Sequence, residues 1–540
     1  MNRFDPAGHA RAMREGGFWV DRYFDDILIQ TIAATPDKAA IVADRDRGQT
    51  RISYAELGDL VARAAAGLSK LGLGKGDVVA IQSPNWWEFV VATLACQRIG
   101  AVLNPLMPIF REHELEFMLG FAEARAFIVP KIFAKFDFES MANSLKAKLP
   151  KLDHVIVMGG EGNDAFEKVL LGHEDRLMPD PALRAGPDDL AFLMYTSGTT
   201  GSPKGAMHTI NTVMTCTNNI AERAGLTKDD VIHVASPVGH MLGFAASVKL
   251  ALRLGATMTM QDVWEGKRGV ELMAAEGVTY TGGATPFLLD VVETVKNGGA
   301  NPEKLRVFLC AGAPIPPALI ERARNELDLT VCSVWGMTET LASTMTEPER
   351  AAEKSSRTDG RPTPGVAVCV VDDDNQPLPT GTVGRLMVRG SQSTLGYFKR
   401  PDLEIFDADG WMDTGDLAYM DDEGYIRIAG RTKDVIIRGG ENVPVADVEN
   451  VLYEHPAVLA VALVGYPDER LGERGCAFVQ LRPGQSLDLA AVQAHMDSKK
   501  VAKQYWPERI EILDAMPRTP TGKIQKFVLR EQAKAFGATA

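Results

Sequence analysis

Six short segments of this chain carry residue types that could do chemistry. The first, Tyr195-Thr-Ser-Gly-Thr-Thr-Gly-Ser-Pro-Lys-Gly205, has the composition of a phosphate loop. Its glycines at 198, 201 and 205 permit close backbone approach, and its successive N–H groups can form an anion-binding concavity. Thr196, Ser197, Thr199, Thr200 and Ser202 add hydroxyls, and Lys204 adds charge. The mononucleotide P-loop pattern G-x-x-x-x-G-K-[ST] occurs nowhere, so this is a different phosphate loop. Leu309-Cys-Ala-Gly-Ala-Pro-Ile-Pro316 is a turn whose backbone could lie along a flat heterocycle. In Val334-Trp-Gly-Met-Thr-Glu339 the Thr338 hydroxyl suits an α-phosphate, and a carboxylate beside a triphosphate serves best as a Mg2+ ligand. Asp416, in Asp413-Thr-Gly-Asp416, can accept both ribose hydroxyls, with Arg431 of Gly430-Arg-Thr-Lys-Asp434 donating to ribose or phosphate. Pro517-Arg-Thr-Pro-Thr-Gly-Lys523-Ile holds a lysine on a short loop that can enter a site or leave it. Taken singly, the Gly-Ala-Pro turn, Glu339 and Lys523 read equally as an ordinary turn, an exposed loop carboxylate and a surface lysine.

The elements that must position these residues follow from periodicity. Leu190–Met194 reads as a buried strand and the segment from Thr209 as a helix, so the phosphate loop is expected to join strand to helix. Ser53-Tyr-Ala-Glu56 is a capping box ahead of a helix through Leu71. Val78–Gln82, Ala101–Leu103 and Ala126–Val129 read as strands, with Asn85 expected to cap the helix through Ile99 and another helix over Glu112–Phe121. Alternation resumes after Leu190, with strands near 232–235, 257–260, 279–280, 306–310 and 331–334, implying a second α/β lobe. From about 366 to 425, short β-branched runs between turn signals predict a small antiparallel β subdomain. Beyond Arg431 the pattern is α+β. The expected fold class is therefore α/β: an N-terminal domain over 1–430 of two α/β lobes plus the β subdomain, a hinge at 431–433, and a mobile α+β domain over 434–540.

At 540 residues the chain is ample for two or three units. Its 58 basic and 71 acidic residues, net −13 with no basic tract, argue against nucleic acid or an anionic membrane as main partner. The six cysteines lack metal-ligand spacing and read as reduced packing residues. No apolar h-region or run of membrane-spanning length occurs, so a cytoplasmic protein without integral membrane association is expected.

The order of phosphate loop, Gly-Ala-Pro turn, Gly-x-Thr-Glu, Thr-Gly-Asp, Gly-Arg-x-Lys-Asp and Pro-x-Thr-x-x-Gly-Lys resembles the adenylate-forming superfamily of acyl-CoA synthetases, adenylation domains and luciferases over about 52–526. The resemblance implies ATP-dependent activation of a carboxylate to an acyl-adenylate, followed by transfer to coenzyme A. It implies Lys523, Glu339, Thr338 and His240 as catalytic residues, with Glu339 and Thr200 toward Mg2+. It implies nucleotide contacts by the loop 196–204, by Gly312, Ala313 and Pro314 on adenine, by Trp335 and Gly336, and by Asp416, Ile428 and Arg431. It also implies that Gly439 and Gly440 line the CoA channel after a swing about Lys433, and that a lysine acetyltransferase acts on Lys523. A homodimer is compatible with it.

By the same resemblance the acyl pocket involves His240, Met241, Gly243, Phe244, Gly283 and Met337. His240 would be a gate or a satisfied packing residue. No Asp or Glu lies over 236–247, which disfavours an amino-acid substrate, and no Arg, which disfavours a dicarboxylate. The expected substrate is an alicyclic, cyclohexanecarboxylate-like acid or a short- to medium-chain aliphatic monocarboxylate, with texture close to cyclohexanecarboxylate and medium-chain fatty acid CoA ligases. An aryl acid, transfer to a carrier protein, and a non-catalytic nucleotide- or acyl-binding role are the alternatives.

Overall fold

The computed structural model describes residues 4–45, 48–196, 203–312, 315–431, 436–438, 441–443, 445–468, 471–499, 501, 503–519 and 522–538. Lys433, Gly439 and Gly440 lie outside the described residues, as do Ser197, Gly198, Thr199, Thr200, Ala313, Pro314 and the Arg431 side chain.

Two α/β lobes stand side by side. One is a nine-stranded sheet whose interior runs through Thr330–Met337, Val307–Ala311, Tyr280–Gly283, Val231–Val234 and Thr257–Gln261, all paired in parallel. The other is six-stranded, with Phe192–Thr196, Val102–Leu106, Val78–Gln82, Ala126–Pro130 and His154–Met158 in parallel order. Strands buried on both faces explain the unbroken apolar runs in the sequence. The largest hydrophobic cluster gathers Ile41, Leu57, Val79, Phe89, Phe192, Phe244 and Met258, so it belongs to both sheets and the helices between them. The capping box forms as expected, Ser53 and Glu56 starting the helix Tyr54–Lys70.

A four-stranded antiparallel sheet, Val366–Val371, Gly384–Gly390, Met412–Met420 and Ile426–Arg431, is the expected β subdomain. The C-terminal α+β domain carries a five-stranded sheet centred on Val458–Asp468 and Gly472–Leu481. All six cysteines are free, and all but Cys369 are buried. Among the described residues no helix is long and apolar enough to cross a membrane.

Three local expectations are corrected. The phosphate loop joins strand to strand: Lys204–His208 pairs antiparallel with Phe192–Thr196, and the helix Ile210–Arg223 begins only after it, capped by Thr209. Five residues with glycine among them carry little strand signal of their own, and the edge of the existing sheet supplies it. Asn85 caps no helix; the next one, Trp87–Arg98, starts from Trp86 without a side-chain cap. The Asn85 amide instead donates to the carbonyls of Val234 and Ser236 and accepts from Val238 N–H. Finally, residues ahead of Ile52, which carried no assignment, supply Ala39–Arg45, which lies parallel to Thr257–Gln261 and extends the larger sheet.

Candidate active site

The strand hairpin puts Thr196 directly opposite Lys204 at the mouth of the phosphate loop. Beside it a second hairpin turns over Thr338–Thr340, between Thr330–Met337 and Leu341–Met345. Gly336 is obligatory there, because a Cβ would sit 1.7 Å from the Leu341 carbonyl oxygen. That turn brings Glu339 to the phosphate hairpin. Glu339 is buried, its Oε1 accepting a 2.6 Å hydrogen bond from the Tyr397 hydroxyl and its carbonyl one of 2.7 Å from Thr394 N–H. The Tyr397 ring lies 5.0 Å from Lys204 Nζ. Burial first, and the Glu339 charge second, push the Tyr397 phenol far above its ordinary range, so it stays a donor.

His208 closes the hairpin from inside. Its Nε2 donates to the Thr338 carbonyl at 2.7 Å, and Nδ1 stands 3.2 Å from the Thr212 hydroxyl. Burial holds this imidazole down to about 4, hence neutral at physiological pH. The helix cap, the phosphate strand and the Thr338–Glu339 turn are therefore one bonded unit.

Asp416, buried on the β subdomain, accepts from the Trp335 indole N–H at 2.9 Å and pairs in register with Arg431. Ile428 packs against the same cluster as Trp335, as does Met337, and the Ile428 N–H donates to Asp359. A carboxylate held at one oxygen by an indole suits a diol. Gly312 follows the strand Val307–Ala311 and is exposed.

The wall at 236–249 is differently made. Asn85 fixes its start. Gly243 packs so tightly that a Cβ would lie 2.2 Å from the Pro237 carbonyl oxygen. His240 begins a short helix, its Nδ1 accepting from Leu242 N–H at 3.3 Å. Met241 and Phe244 are buried, Phe244 edge-on to Phe89 and Phe192. Residues Phe244–Lys249 form a π-helix, a form that recurs at functional sites. Lys249, two residues past the window searched for charge, is fully buried, its Nζ 4.8 to 5.4 Å from the ring centroids of Phe24, Phe192 and Phe244. Burial brings its ammonium down to about 7. Gly283, at the end of its strand, is buried against Phe287.

Lys523 rides on a turn closed by Thr519, whose N–H donates to the Lys523 carbonyl at 2.7 Å and whose hydroxyl accepts from Lys523 N–H. The turn lies against the N-terminal domain. Gly522 abuts Pro286, with 3.3 Å from the position of a Cβ to the proline ring, and Lys523 is close enough to His240 to depress its pKa. Burial is the larger cause, and together they bring His240 to about 4.

The structure thus gathers Thr196, Lys204, Thr338 and Glu339 at one place, Asp416 with Trp335 at a second, and His240 with Lys523 at a third. Sequence reasoning missed Tyr397, His208 and Asn85. His208 ends a five-residue strand whose burial does not alternate, and Asn85 signalled only a helix cap. One buried carboxylate beside a phosphate loop is a fitting donor set for Mg2+, which takes few protein ligands where phosphates supply the rest.

Comparison with known proteins identifies the family. The family of AMP-binding enzymes matches residues 28–398, and the AMP-binding enzyme C-terminal domain matches residues 447–523. A medium-chain fatty-acid–CoA ligase of Escherichia coli (strain K12) is 36% identical over 527 residues, 96% of this chain and 92% of the relative. A salicylyl-CoA synthase / salicylate adenylyltransferase of Streptomyces is 34% identical over 97% of this chain and 96% of its own length. The crystal structure of ATP-bound MatB from Rhodopseudomonas palustris superposes with a TM-score of 0.84 at 28% identity, covering 95% of this chain and 100% of that one.

Proposed function

The chain belongs to the family of AMP-binding enzymes, in its AMP-forming acyl-CoA ligase branch, and from that membership we propose that it converts an apolar monocarboxylic acid, ATP and CoA to acyl-CoA, AMP and pyrophosphate. The observation that carries the reading is the seating of the Gly522–Lys523 turn against Ala284 and Pro286, directly after Gly283 of the apolar wall.

Activation requires a carboxylate anion to attack an anionic phosphate, so the work of the protein is to neutralise charge without reorganising. Lys523 bridges the attacking carboxylate and the α-phosphate. Lys204 and the loop that begins at Thr196 hold the outer phosphates, Thr338 the α-phosphate, and Asp416 the ribose. Glu339 would hold Mg2+, which when bound supplies further neutralisation of the phosphates. His240, neutral, is suited to pack beside the acyl group rather than to add a second cation. Binding of ATP is supported by the ATP-bound relative of the same architecture.

Met241, Phe244, Gly243 and Gly283 favour an alicyclic acid or an aliphatic one of short to medium length, in keeping with the fatty-acid ligase relative. An aryl acid is the second reading, favoured by the salicylate-directed relative. The test is acid-dependent ATP–pyrophosphate exchange across acetate, butyrate, hexanoate, octanoate, cyclohexanecarboxylate and benzoate, with thioester formation followed in parallel. A maximum at hexanoate, octanoate or cyclohexanecarboxylate with matching CoA thioester is the expected result. A maximum at benzoate selects the second reading, exchange without thioester points to a carrier-protein acceptor, and no exchange rejects the activity.

A further inference from the structure

Between the phosphate hairpin and Glu339 runs a short strap, residues 394–398, to which the motifs assign no role. Met207 N–H donates to the Gly396 carbonyl, while Leu395 N–H and the Thr394 hydroxyl both donate to the Met207 carbonyl. Phe398 N–H donates to the Gly205 carbonyl, and Tyr397 bridges Ala206 as in an antiparallel pair. The strap is in effect a third strand on the hairpin that carries Lys204. Its other side holds Glu339 at two points, through Thr394 N–H and the Tyr397 hydroxyl.

Tyr397 is the residue where both halves meet. One side chain sets its hydroxyl on the carboxylate of Glu339 and its ring face toward the ammonium of Lys204. Among the described residues no other side chain bonds the Glu339 carboxylate. A hydroxyl taking one oxygen fixes the torsion about the carboxylate and leaves Oε2 to accept another ligand. A ring face at 5.0 Å restrains a long lysine without neutralising it, as an acidic partner would. We propose that Tyr397 is a positioning residue that presets Lys204 and Glu339 as one unit, so that the triphosphate and its divalent cation meet a single prepared geometry. The proposal rests on the nucleotide reading above.

The tyrosine's two parts can be removed one at a time. Tyr397→Phe deletes the hydroxyl alone. It should raise the Mg2+ concentration for half-maximal pyrophosphate exchange about tenfold, the size expected when a group that orients a metal ligand is lost. ATP affinity without Mg2+, read by calorimetry, should be unchanged, and Mn2+ bound in the presence of ATP, read by electron paramagnetic resonance, should weaken in parallel. Tyr397→Leu removes the ring too, and should also weaken metal-free ATP binding. Should these variants prove destabilised, a double-mutant cycle decides: Tyr397→Phe should cost less in a Glu339→Gln background than in the wild type, and Tyr397→Leu less in a Lys204→Met background. Unchanged metal dependence in Tyr397→Phe, equal losses with and without Mg2+, or additive cycles would each overturn the proposal. Absence of exchange in the wild type would reject the assigned reaction, whereas the calorimetric and resonance measurements would still judge the positioning.

Discussion

The side proposed for the nucleotide and the side proposed for the acyl group are built on opposite plans. On the nucleotide side nearly every polar group is held by another: Glu339 by Tyr397, the Thr338 backbone by His208, Asp416 by Trp335. On the acyl side, Gly243, Met241, Phe244 and Gly283 make few directional bonds, and shape comes from close packing behind them. The difference teaches where each kind of change will be felt. Removing a partner on the first side strands a charged or polar group, whereas adding a methyl group on the second alters only volume.

The largest effect should come from the group proposed to serve both sides. Lys523→Ala, at an exposed position, should lower pyrophosphate exchange by about 10²- to 10³-fold with the melting temperature unchanged. Next, Trp335→Phe removes an indole donor from Asp416 and should raise KM for ATP by about 10- to 100-fold, the worth of a hydrogen bond to a charged group, while leaving acid preference alone. Gly283→Ala should do the converse. Its new methyl would lie 3.0 Å from the Phe287 Cβ, so kcat/KM for bulky acids should fall about tenfold with KM for ATP constant. If either variant moved both constants equally, the division into two sides would fail.

Two further outcomes concern stability. Lys249→Met replaces a fully buried amine without a hydrogen-bond partner by an apolar chain of similar length, and should stabilise the fold by about 1–3 kcal/mol in denaturant titration at pH 7.5. The smallest effect is of pH. His208 and His233 are buried and lie at about 4 and about 3 against an ordinary 6.5, burial being the first cause for both. The unfolded chain therefore binds protons that the folded one refuses, and stability is lost as pH falls from 6.5 toward those values. At pH 5.5 each histidine should cost on the order of 1 kcal/mol, a loss that His233→Gln would lessen.

The segments proposed for the nucleotide stood out in the sequence because phosphate, magnesium and ribose each demand particular residue types within a few positions. Lys204, Glu339 and Asp416 stand in such segments; the structure puts Glu339 at the expected strand end and Asp416 on the expected β subdomain, and Lys204 at the start of a strand where a loop into a helix was expected. What escaped is what holds them. Tyr397 acts on Glu339 from 58 positions away, and nothing local distinguishes it from any loop tyrosine. The strand Lys204–His208 exists only because the edge at Phe192–Thr196 offers it partners. Asn85 shows the same limit in reverse: its type announced a helix cap, but two carbonyls and an N–H from the neighbouring sheet outbid that local use. The acyl side was read by exclusion, and the exclusion stopped two residues short of the one buried cation, Lys249, among the described residues of that wall.

The charge of Lys523 and a proton on His240 oppose each other. Each disfavours the other by charge, so by linkage the protonation of His240 must favour departure of the loop as much as the loop opposes protonation. If the loop withdraws as proposed, the imidazole would report it: its titration, followed by NMR of a single labelled histidine, should move upward when the lysine leaves, and because placing the loop then expels the proton His240 would otherwise hold, the balance between the two positions should drift with acidity.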